Sequence, residues 1–262
     1  MNNTQFDANS IWQSIRTEAS EISASELMLA PLLKLTVLDC STLFECVALR
    51  ISRKLGRNAV SAQDFQRVFM EAFDADEIIR KNIVADLVAI KLRDPACDSF
   101  LTPILYFKGF QSITTYRVAH WLWQNDRKAL AYYLQSLSSE VFGVDIHPAA
   151  TFGGGILLDH ATSFVAGETS VVEDNVSILH EVTLGGTGNA TGDRHPKVKS
   201  GVLIGAGAKL IGNITIGKGA KIGAGSVVLE DVAEHTTVAG VPARPVGIPQ
   251  EETPATNMNQ KV

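Results

Sequence analysis

Hydrophobic residues in the first half of the chain recur every three or four positions, which places their side chains on one face of an α-helix. The same pattern predicts helices over residues 111–123 and 128–142. We therefore expect residues 1–143 to form an all-α domain, with apolar faces available for oligomerisation. The spacing is clearest in three segments: Leu43, Phe44, Val47, Ile51 and Leu55; Phe65, Phe69 and Phe73; and Ile79, Ile83, Leu87 and Ile90.

Two local signals mark helix boundaries. Ser61, followed three residues later by Asp64, resembles a capping box and predicts a helix start. The sequence Arg93-Asp94-Pro95 predicts a helix end, because proline disfavours helical backbone in the residue before it.

The second half of the chain has a period of six. Aliphatic residues stand at every sixth position, and the residue four positions after most of them is small. With glycines interleaved, this repeat is typical of a parallel β-helix, in which three hexads close one triangular coil. The residues in register are Ile204, Leu210, Ile216, Ile222 and Val228, with Ala166, Val172, Ile178 and Leu184 and then Ile146, Phe152 and Leu158 further upstream.

A glycine-rich segment interrupts the repeat. Leu184 and Ile204 are 20 positions apart where adjacent hexads need six, so a loop of about 14 residues is predicted to leave the solenoid. Long loops in compact folds are more often functional than decorative. The predicted fold class is α+β multidomain: a helical domain over 1–143, a parallel β-helix over 144–247 with an extruded loop, and a flexible C-terminal tail over 248–262.

Composition narrows the classes of function. A net charge of −5 argues against nucleic acid or an anionic membrane as the main partner. Of the 21 glycines, all but Gly56, Gly109 and Gly143 follow residue 150, which places the change of architecture near residue 143. Three cysteines without metal-site spacing predict no metal, and with no signal-peptide layout at the N-terminus they suit the reducing cytoplasm.

Two dipeptides carry the candidate chemistry. Asp159 and His160 follow the interior residue Leu158, while Arg194 and His195 lie on the extruded loop. Because a β-helix has no internal pocket, a site must lie on its surface or between subunits. The solenoid geometry is expected to bring the two dipeptides near each other.

A carboxylate upstream is a candidate partner for the His160 imidazole. Asp145 stands about two hexads before His160, where it is expected to orient the ring. A carboxylate on one ring nitrogen fixes the tautomer and raises the basicity of the other, as a general base acting on a hydroxyl requires. Arg194 presents a planar fork suited to a carboxylate ligand.

The remaining polar features have plainer interpretations. His120 and His235 are expected to be surface or turn residues and His147 a turn residue, while His180 is left open as a residue that lines the same cleft. The segment GGTGNATG lacks GxGxxG spacing and a following helix, so a dinucleotide-binding loop is rejected.

Seven segments together resemble the serine O-acetyltransferases, acyltransferases that make O-acetylserine for cysteine synthesis. The hexapeptide repeat alone implies only the broad acyltransferase superfamily, whereas LDHAT combined with GDRHP on an extruded loop is far more specific. The segments are VDIHPAA, LDHATS, VSILHEVTLGGTG, GDRHPKV, GVLIGAGAKLIGNI, GAKIGAGSVVL and TTVAGVPAR.

The resemblance implies roles for particular residues. His160 would be the general base, oriented by Asp145, with direct acetyl transfer from acetyl-CoA to L-serine and no tightly bound cofactor. His195 would complete the catalytic group. Serine would be held by Asp94, Asp159, His160, Arg194 and His195, and small residues at Gly185, Gly186, Ala206 and Ala224 would lie against the pantetheine arm of acetyl-CoA.

The resemblance also implies an assembly and its regulation. The β-helix would be left-handed and form trimers that pair into a hexamer through the helical domains, with acetyl-CoA between adjacent β-helices. L-Cysteine would be a feedback inhibitor at the serine site. The family's C-terminal tail, which ends in isoleucine, implies O-acetylserine sulfhydrylase as a partner, but the short tail ending in Val262 argues against that complex.

Three other functions remain open from the residues. A hexapeptide acetyltransferase for another small hydroxyl acceptor would share the fold and the cosubstrate. A β-helix carbonic anhydrase would bind a metal through three histidines, for which His160, His180 and His195 are superficial candidates. A catalytically idle scaffold that regulates the sulfhydrylase is disfavoured by the presence of His160 and Asp145.

Overall fold

The computed structural model describes residues 6–189 and 191–261, so the terminal Val262 lies outside the described residues. Helices fill the chain up to residue 142, as the spacing of three and four predicts. They are α1 (Ala8–Ser25), α2 (Ala30–Leu33) continued by a π-helical turn (Lys34–Leu38), α3 (Leu43–Leu55), α4 (Ala62–Ala75), α5 (Glu77–Arg93), α6 (Leu101–Leu105), α7 (Lys108–Gln124) and α8 (Lys128–Phe142).

The predicted helix boundaries are confirmed. Ser61 caps α4, and its side chain and that of Asp64 form the reciprocal capping box. Helix α5 ends at Arg93, with Asp94 as its C-cap in extended backbone. Helix α1, which none of the predicted segments includes, is capped by a box of Asp7 and Ser10 and buries Ile11 and Ile15. No helix in residues 6–189 and 191–261 combines the length and apolarity needed to cross a membrane.

Short strands follow from residue 144, and a four-residue helix comes near the C-terminus. The strands are β1 (Val144–Ile146), β2 (Thr151–Phe152), β3 (Leu157–Leu158), β4 (Phe164–Ala166), β5 (Val171–Val172), β6 (Ser177–Ile178), β7 (Thr183–Gly185), β8 (Lys197–Val198), β9 (Leu203–Ile204), β10 (Lys209–Ile211), β11 (Thr215–Ile216), β12 (Lys221–Ile222), β13 (Val227–Val228), β14 (Thr237–Gly240) and β15 (Ala243–Gly247), and the helix is α9 (Pro254–Asn257).

The strands stack into three sheets that form the faces of a parallel β-helix of about five turns. Face A contains β1, β4, β7, β10 and β13; face B contains β2, β5, β8 and β11; face C contains β3, β6, β9, β12, β14 and β15. We name the corners after the faces they join in chain order: corner AB, corner BC and corner CA. The final pair β14–β15 is antiparallel, whereas the pairs within the coils are parallel.

The predicted register is confirmed at the interior positions. Ile204 pairs with Ile178 on one side and Ile222 on the other, and Leu184 pairs with Leu210. The small residues four positions after the aliphatic ones are also buried, including Ala208, Ala220 and Ser226. Each coil therefore has a close-packed aliphatic stack as its core.

The length predicted for the loop is wrong. Val198 is fully buried on β8, which pairs with β5 and β11 and continues face B through the interrupted region. Val198 stands 14 positions after Leu184 where a regular hexad needs six, so eight residues are inserted rather than about 14. The error arose because Pro196 and Lys197 concealed the hexad that ends at Val198.

A second break in the period lies one coil earlier, at corner CA. Leu158 on β3 and Ala166 on β4 are interior residues eight positions apart, whereas the same corner in the next coil takes six, from Ile178 to Leu184. Two extra residues therefore enlarge the corner that carries Asp159 and His160.

The helical domain is joined to the β-helix by a buried polar network. Asp86 on α5 accepts two hydrogen bonds from Arg117 on α7, at 3.0 and 2.7 Å, and one at 2.8 Å from the backbone N–H of Ile156 at corner BC. Arg117 also donates to the carbonyl of Gly153, at 2.7 Å. Since a buried ion pair is costly to break from one side, this network fixes how α5 lies against the coils.

Candidate active site

Corner CA presents the first half of the candidate site. Strand β3 ends at Leu158, and His160 and Ala161 then adopt left-handed backbone with φ of 55° and 61°. Consecutive non-glycine residues in this region are uncommon and store strain that often accompanies a functional site. The enlarged turn pushes the His160 side chain outward, where it is 73 % exposed.

Two groups lie close to the His160 imidazole. The Nε2 atom of His160 is 3.8 Å from Oδ1 of Asp159. The ring of His180, at the same corner one coil further on, meets it edge-on with 5.7 Å between centroids. His180 therefore belongs to this cluster, as the sequence analysis left open, and its buried Nδ1 has no hydrogen-bond partner among the described residues.

His160 opens onto a cavity of about 480 Å³ between corner CA and the helical domain. The carboxylates of Asp94 and Asp159 line this cavity together. Helix α7 approaches closely because Gly109 has no side chain: a Cβ there would overlap the carbonyl oxygen of Leu158. The structure thus brings Asp94, predicted from the helical half, to Asp159 and His160.

The electrostatics of the cavity suit a cation. Burial is the main cause that raises the pKa of Asp159; His160 opposes the shift, and the nearby charge of Asp94 adds to it. Two carboxylates in one partly desolvated cavity repel each other, so a ligand with an ammonium group would relieve that repulsion. On the other wall, Lys108 Nζ donates a 2.6 Å hydrogen bond to the Thr162 hydroxyl and ties α7 to the enlarged turn.

The second half of the candidate site is the loop at corner AB, described over residues 186–189 and 191–196. Thr169, one coil earlier at the same corner, anchors it. The Thr169 hydroxyl accepts hydrogen bonds from the backbone N–H groups of Arg194 and His195, both at 3.0 Å. The ammonium group of Lys197 donates to the Thr169 carbonyl at 2.8 Å.

The same anchor determines the state of the His195 ring. The backbone N–H of Thr169 donates to His195 Nδ1 at 3.2 Å, so Nδ1 is an acceptor and the proton lies on Nε2. The ring is buried and lies against Gly167, where a Cβ would overlap its Nε2 side. Burial, and secondarily the charge of Arg194, lower the pKa of His195. A neutral imidazole with Nε2–H is a hydrogen-bond donor to a ligand oxygen.

Arg194 is held by an acidic neighbour. Its Nη2 donates to Oε2 of Glu168 at 2.7 Å, and its Nη1 donates to the carbonyl of Gly192 at 3.0 Å. The hydrogen bond from Arg194 is the main cause that lowers the pKa of Glu168. The guanidinium is therefore oriented along the loop, with its remaining N–H groups available to a carboxylate.

The expectation that the solenoid brings the two dipeptides together is wrong within one chain. His160 lies at corner CA and Arg194 and His195 at corner AB, which are opposite edges of face A. A three-residue strand, about 10 Å long, separates these edges. Each chain therefore carries the two groups of candidate residues, which we call half-sites, at opposite edges of face A.

Asp145 is not placed against His160 in one chain either. It is the middle residue of β1, the first strand of face A, and its Oδ1 accepts a 2.6 Å hydrogen bond from Gln135 Nε2 on α8. The carboxylate nearest to His160 in the same chain is Asp159. Sequence spacing in hexads suggested proximity, but the spacing does not say which face of the coil a residue occupies.

The four residues predicted to contact acetyl-CoA divide in the same way. Gly185 and Gly186 lie at corner AB, beside the loop, while Ala206 and Ala224 lie at corner CA of later coils. The residues that sequence reasoning missed are the anchors Gly167, Glu168, Thr169, Lys108 and Thr162. The eight-residue spacing from Leu158 to Ala166 was a visible signal for the turn, but no pattern pointed to Thr169.

Comparison with known proteins identifies a family. Residues 11–115 match a model described as serine acetyltransferase, N-terminal, and residues 195–230 match one for the bacterial transferase hexapeptide. The serine acetyltransferase of Salmonella typhimurium is 50% identical over 95% of this chain and 92% of its own length.

Solved structures of serine acetyltransferases share the fold over nearly the whole chain. One from Brucella abortus in complex with coenzyme A has a TM-score of 0.91 and 52% identity, and covers 95% of this chain and 98% of its own. One from Neisseria gonorrhoeae in complex with serine has a TM-score of 0.89 and 51% identity, covering 94% and 99%. A complex with cysteine has a TM-score of 0.95 and 48% identity, covering 98% and 100%.

Proposed function

Because this chain belongs to the serine acetyltransferase family, we propose that its active site forms where corner CA of one subunit meets corner AB of the next. The enzyme transfers the acetyl group of acetyl-CoA to the hydroxyl of L-serine and releases O-acetyl-L-serine and CoA, the first step of cysteine biosynthesis from serine. The observation that carries the proposal is the separation of the two half-sites by face A. The hexapeptide fold suggests trimers, in which each such junction would complete one site.

The proposed base is His160. Its exposed ring can reach a substrate bound at the junction with the next subunit. Oδ1 of Asp159 lies 3.8 Å from its Nε2. As the serine oxygen attacks the thioester carbonyl, the imidazole accepts the hydroxyl proton; the C–S bond then breaks and the proton passes to the CoA thiolate. Asp145, on the first strand of face A, is proposed to orient the ring across the subunit boundary.

Serine is proposed to bind by its two charged ends. Asp94 and Asp159 would hold the ammonium group, since both line the cavity beside His160. Arg194 would bind the carboxylate as a planar fork, and neutral His195 would donate from Nε2. The small residues Gly185, Gly186, Ala206 and Ala224 would let acetyl-CoA lie along the junction, in keeping with the related complex with coenzyme A.

Cysteine is proposed to inhibit by occupying the serine site. L-Cysteine differs from L-serine only in sulfur for oxygen, so groups that clamp an ammonium and a carboxylate accept both, and a related enzyme binds cysteine. The thiol facing His160 gains a charge-assisted contact as a thiolate. Raising the serine concentration should relieve the inhibition, and inhibition that persists at saturating serine would contradict a shared site.

The acceptor specificity is tested by acetyl-CoA consumption with L-serine against a panel of other hydroxyl compounds, including sugars. We expect turnover with L-serine and little with acceptors that lack a carboxylate. His160→Ala should lower turnover by about 10²–10⁴-fold but still bind acetyl-CoA. Wild-type turnover in that variant would contradict the assignment of His160 as the base. A preference for a sugar acceptor would favour the other hexapeptide acetyltransferases.

Assembly and location complete the proposal. Trimers would pair into a hexamer through the helical domain, where Leu27, Met28 and Leu35 are exposed. A cytoplasmic location suits three buried free cysteines. Binding of O-acetylserine sulfhydrylase is proposed to be weak or absent, because the C-terminal segment packs against the chain's own face C.

A further inference from the structure

The C-terminal segment crosses face C, where it contacts β6 and β12. We call residues 251–261 the C-terminal strap. Its short helix α9 packs against α5, and Pro254 and Ala255 are buried. The N–H of Ala255 donates to the carbonyl of Gly201 at 3.2 Å. The strap therefore packs against both α5 and the coils.

A buried lysine secures the end of the strap. Lys221 on β12 is almost fully buried, and its ammonium group donates to the carbonyls of Asn259 and Lys261 at 3.0 and 2.7 Å. A buried ammonium group is unfavourable without hydrogen-bond acceptors. The strap supplies two of them, so its docked position satisfies Lys221.

A hydroxyl links the strap to the helical domain. The side chain of Ser177, fully buried on β6, donates to the carbonyl of Ala255 at 2.7 Å. The Ser177 hydroxyl oxygen also accepts a 3.2 Å hydrogen bond from Nη1 of Arg93. The strap carbonyl therefore directs the Ser177 proton away from Arg93 and leaves a lone pair to face the guanidinium.

Arg93 is the last residue of α5 and is held by neutral acceptors. Besides Ser177, it donates to the carbonyl of Gly155 and to the side-chain oxygen of Asn175, both at 3.0 Å. Burial lowers the pKa of Arg93 to about 10, and the charge of Asp86 only partly opposes this. An arginine buried on this scale depends on each acceptor around it.

The residue after Arg93 is Asp94, the C-cap of α5 and a wall of the cavity beside His160. Its backbone N–H donates to Ile90, so its position follows from the end of the helix that Arg93 fastens to the coils. We propose that the C-terminal strap positions Asp94 in the serine subsite through Ser177 and Arg93. This inference rests on the proposed role of Asp94 in binding serine.

Three variants of the full chain probe this linkage. A chain ended after Gln250 removes the strap, Ser177→Ala removes the linking hydroxyl, and Lys221→Met removes the ammonium group that holds the strap end. We expect each to raise the KM for serine by about three- to tenfold, the effect of weakening one hydrogen bond to a charged group. The KM for acetyl-CoA should stay unchanged, because that cosubstrate is proposed to lie along the junction between subunits and not against the strap.

The matched control is Lys199→Met. Lys199 follows β8 at corner BC, where it pairs with Glu173 at 2.8 Å and makes no hydrogen bond to residues 251–261, so both KM values should match the wild type. A peptide of residues 251–262 added to the truncated chain should lower the KM for serine again. A fall in melting temperature with both KM values unchanged, or an equal rise in both, would show a purely structural strap and overturn the proposal.

Asp94→Asn separates this inference from the proposed function. If Asp94→Asn leaves the KM for serine unchanged, the role of Asp94 is wrong and the strap proposal falls with it. If Asp94→Asn raises it but the three strap variants do not, only the strap proposal is wrong. In the Asp94→Asn background, truncation should raise the KM no further, and an additional independent rise would show that the strap acts by another route.

Discussion

At the scale of single residues, the protonation of His195 follows from one backbone hydrogen bond. Because Thr169 N–H donates to Nδ1 and burial lowers the pKa of the ring, we predict a neutral Nε2–H tautomer at pH 7. Nitrogen NMR shifts of the imidazole check this directly. A ring that carries its proton on Nδ1, or that is charged at pH 6.5, would contradict the assignment.

The lowered pKa of His195 also affects how the stability of the protein depends on pH. An unfolded histidine binds a proton below about pH 6.5, whereas folded His195 resists protonation because its pKa is lowered. The unfolded state then binds more protons, so stability should fall as the pH drops below about 6.5. Unfolding midpoints of wild type and His195→Gln between pH 7 and 5 should show a smaller loss for the variant.

Arg194 illustrates how residue chemistry sets specificity. Its fork is oriented by Glu168 and Gly192, which leaves a planar pair of donors for a substrate carboxylate. Arg194→Lys should raise the KM for serine about tenfold or more, because a point charge cannot replace a bidentate contact. The exposed Arg244 pairs only distantly with Glu230, at 3.7 Å, so Arg244→Lys is the control and should leave serine kinetics unchanged.

At the scale of elements, the position of the loop depends on the absence of a side chain at Gly167. His195 lies where a Cβ on Gly167 would be, so Gly167→Ala must displace the ring. We predict that catalytic efficiency for serine falls by about tenfold or more, since small misplacements of binding groups are costly. Steady-state kinetics measure this.

Gly247→Ala is the matched glycine control. A Cβ at Gly247 meets no atom within 4 Å, so this variant should behave as the wild type. Equal losses in both variants would mean that the space beneath His195 has no special role.

At the scale of the whole molecule, two half-sites on opposite edges of face A predict complementation between chains. His160→Ala removes the proposed base at corner CA and leaves corner AB intact. Arg194→Ala removes the proposed carboxylate-binding group at corner AB and leaves corner CA intact. When the two inactive variants are unfolded and refolded together at equal amounts, about a quarter of the junctions should combine two intact corners. Activity should therefore return to roughly that fraction of the wild-type value.

Each variant refolded alone is the control for this experiment and should stay inactive. If the mixture also stays inactive while affinity capture through a tag on one variant recovers the other, both corners must come from one chain. That outcome would overturn the junction between subunits and retain the individual residue roles.

The sequence by itself determined most of the helices and the coil register outside the interrupted region. Spacings of three, four and six reflect local geometry, the turn of a helix and the length of one strand with its corner, and these need no knowledge of distant contacts. Phe65, Phe69 and Phe73 therefore marked α4, and Ile204 to Val228 marked the coils. The motifs LDHAT and GDRHP indicated the family, which the comparisons confirm.

Only the tertiary structure decided which corner each site residue occupies. The six-residue repeat shows which positions are interior, but it is the same on faces A, B and C. The spacing therefore could not assign Asp145, His160 and His195 to particular faces or corners. The anchors Thr169, Glu168 and Ser177 act through contacts with residues 25 to 78 positions away. Such contacts arise from stacking of coils and docking of the chain end, which no local pattern records.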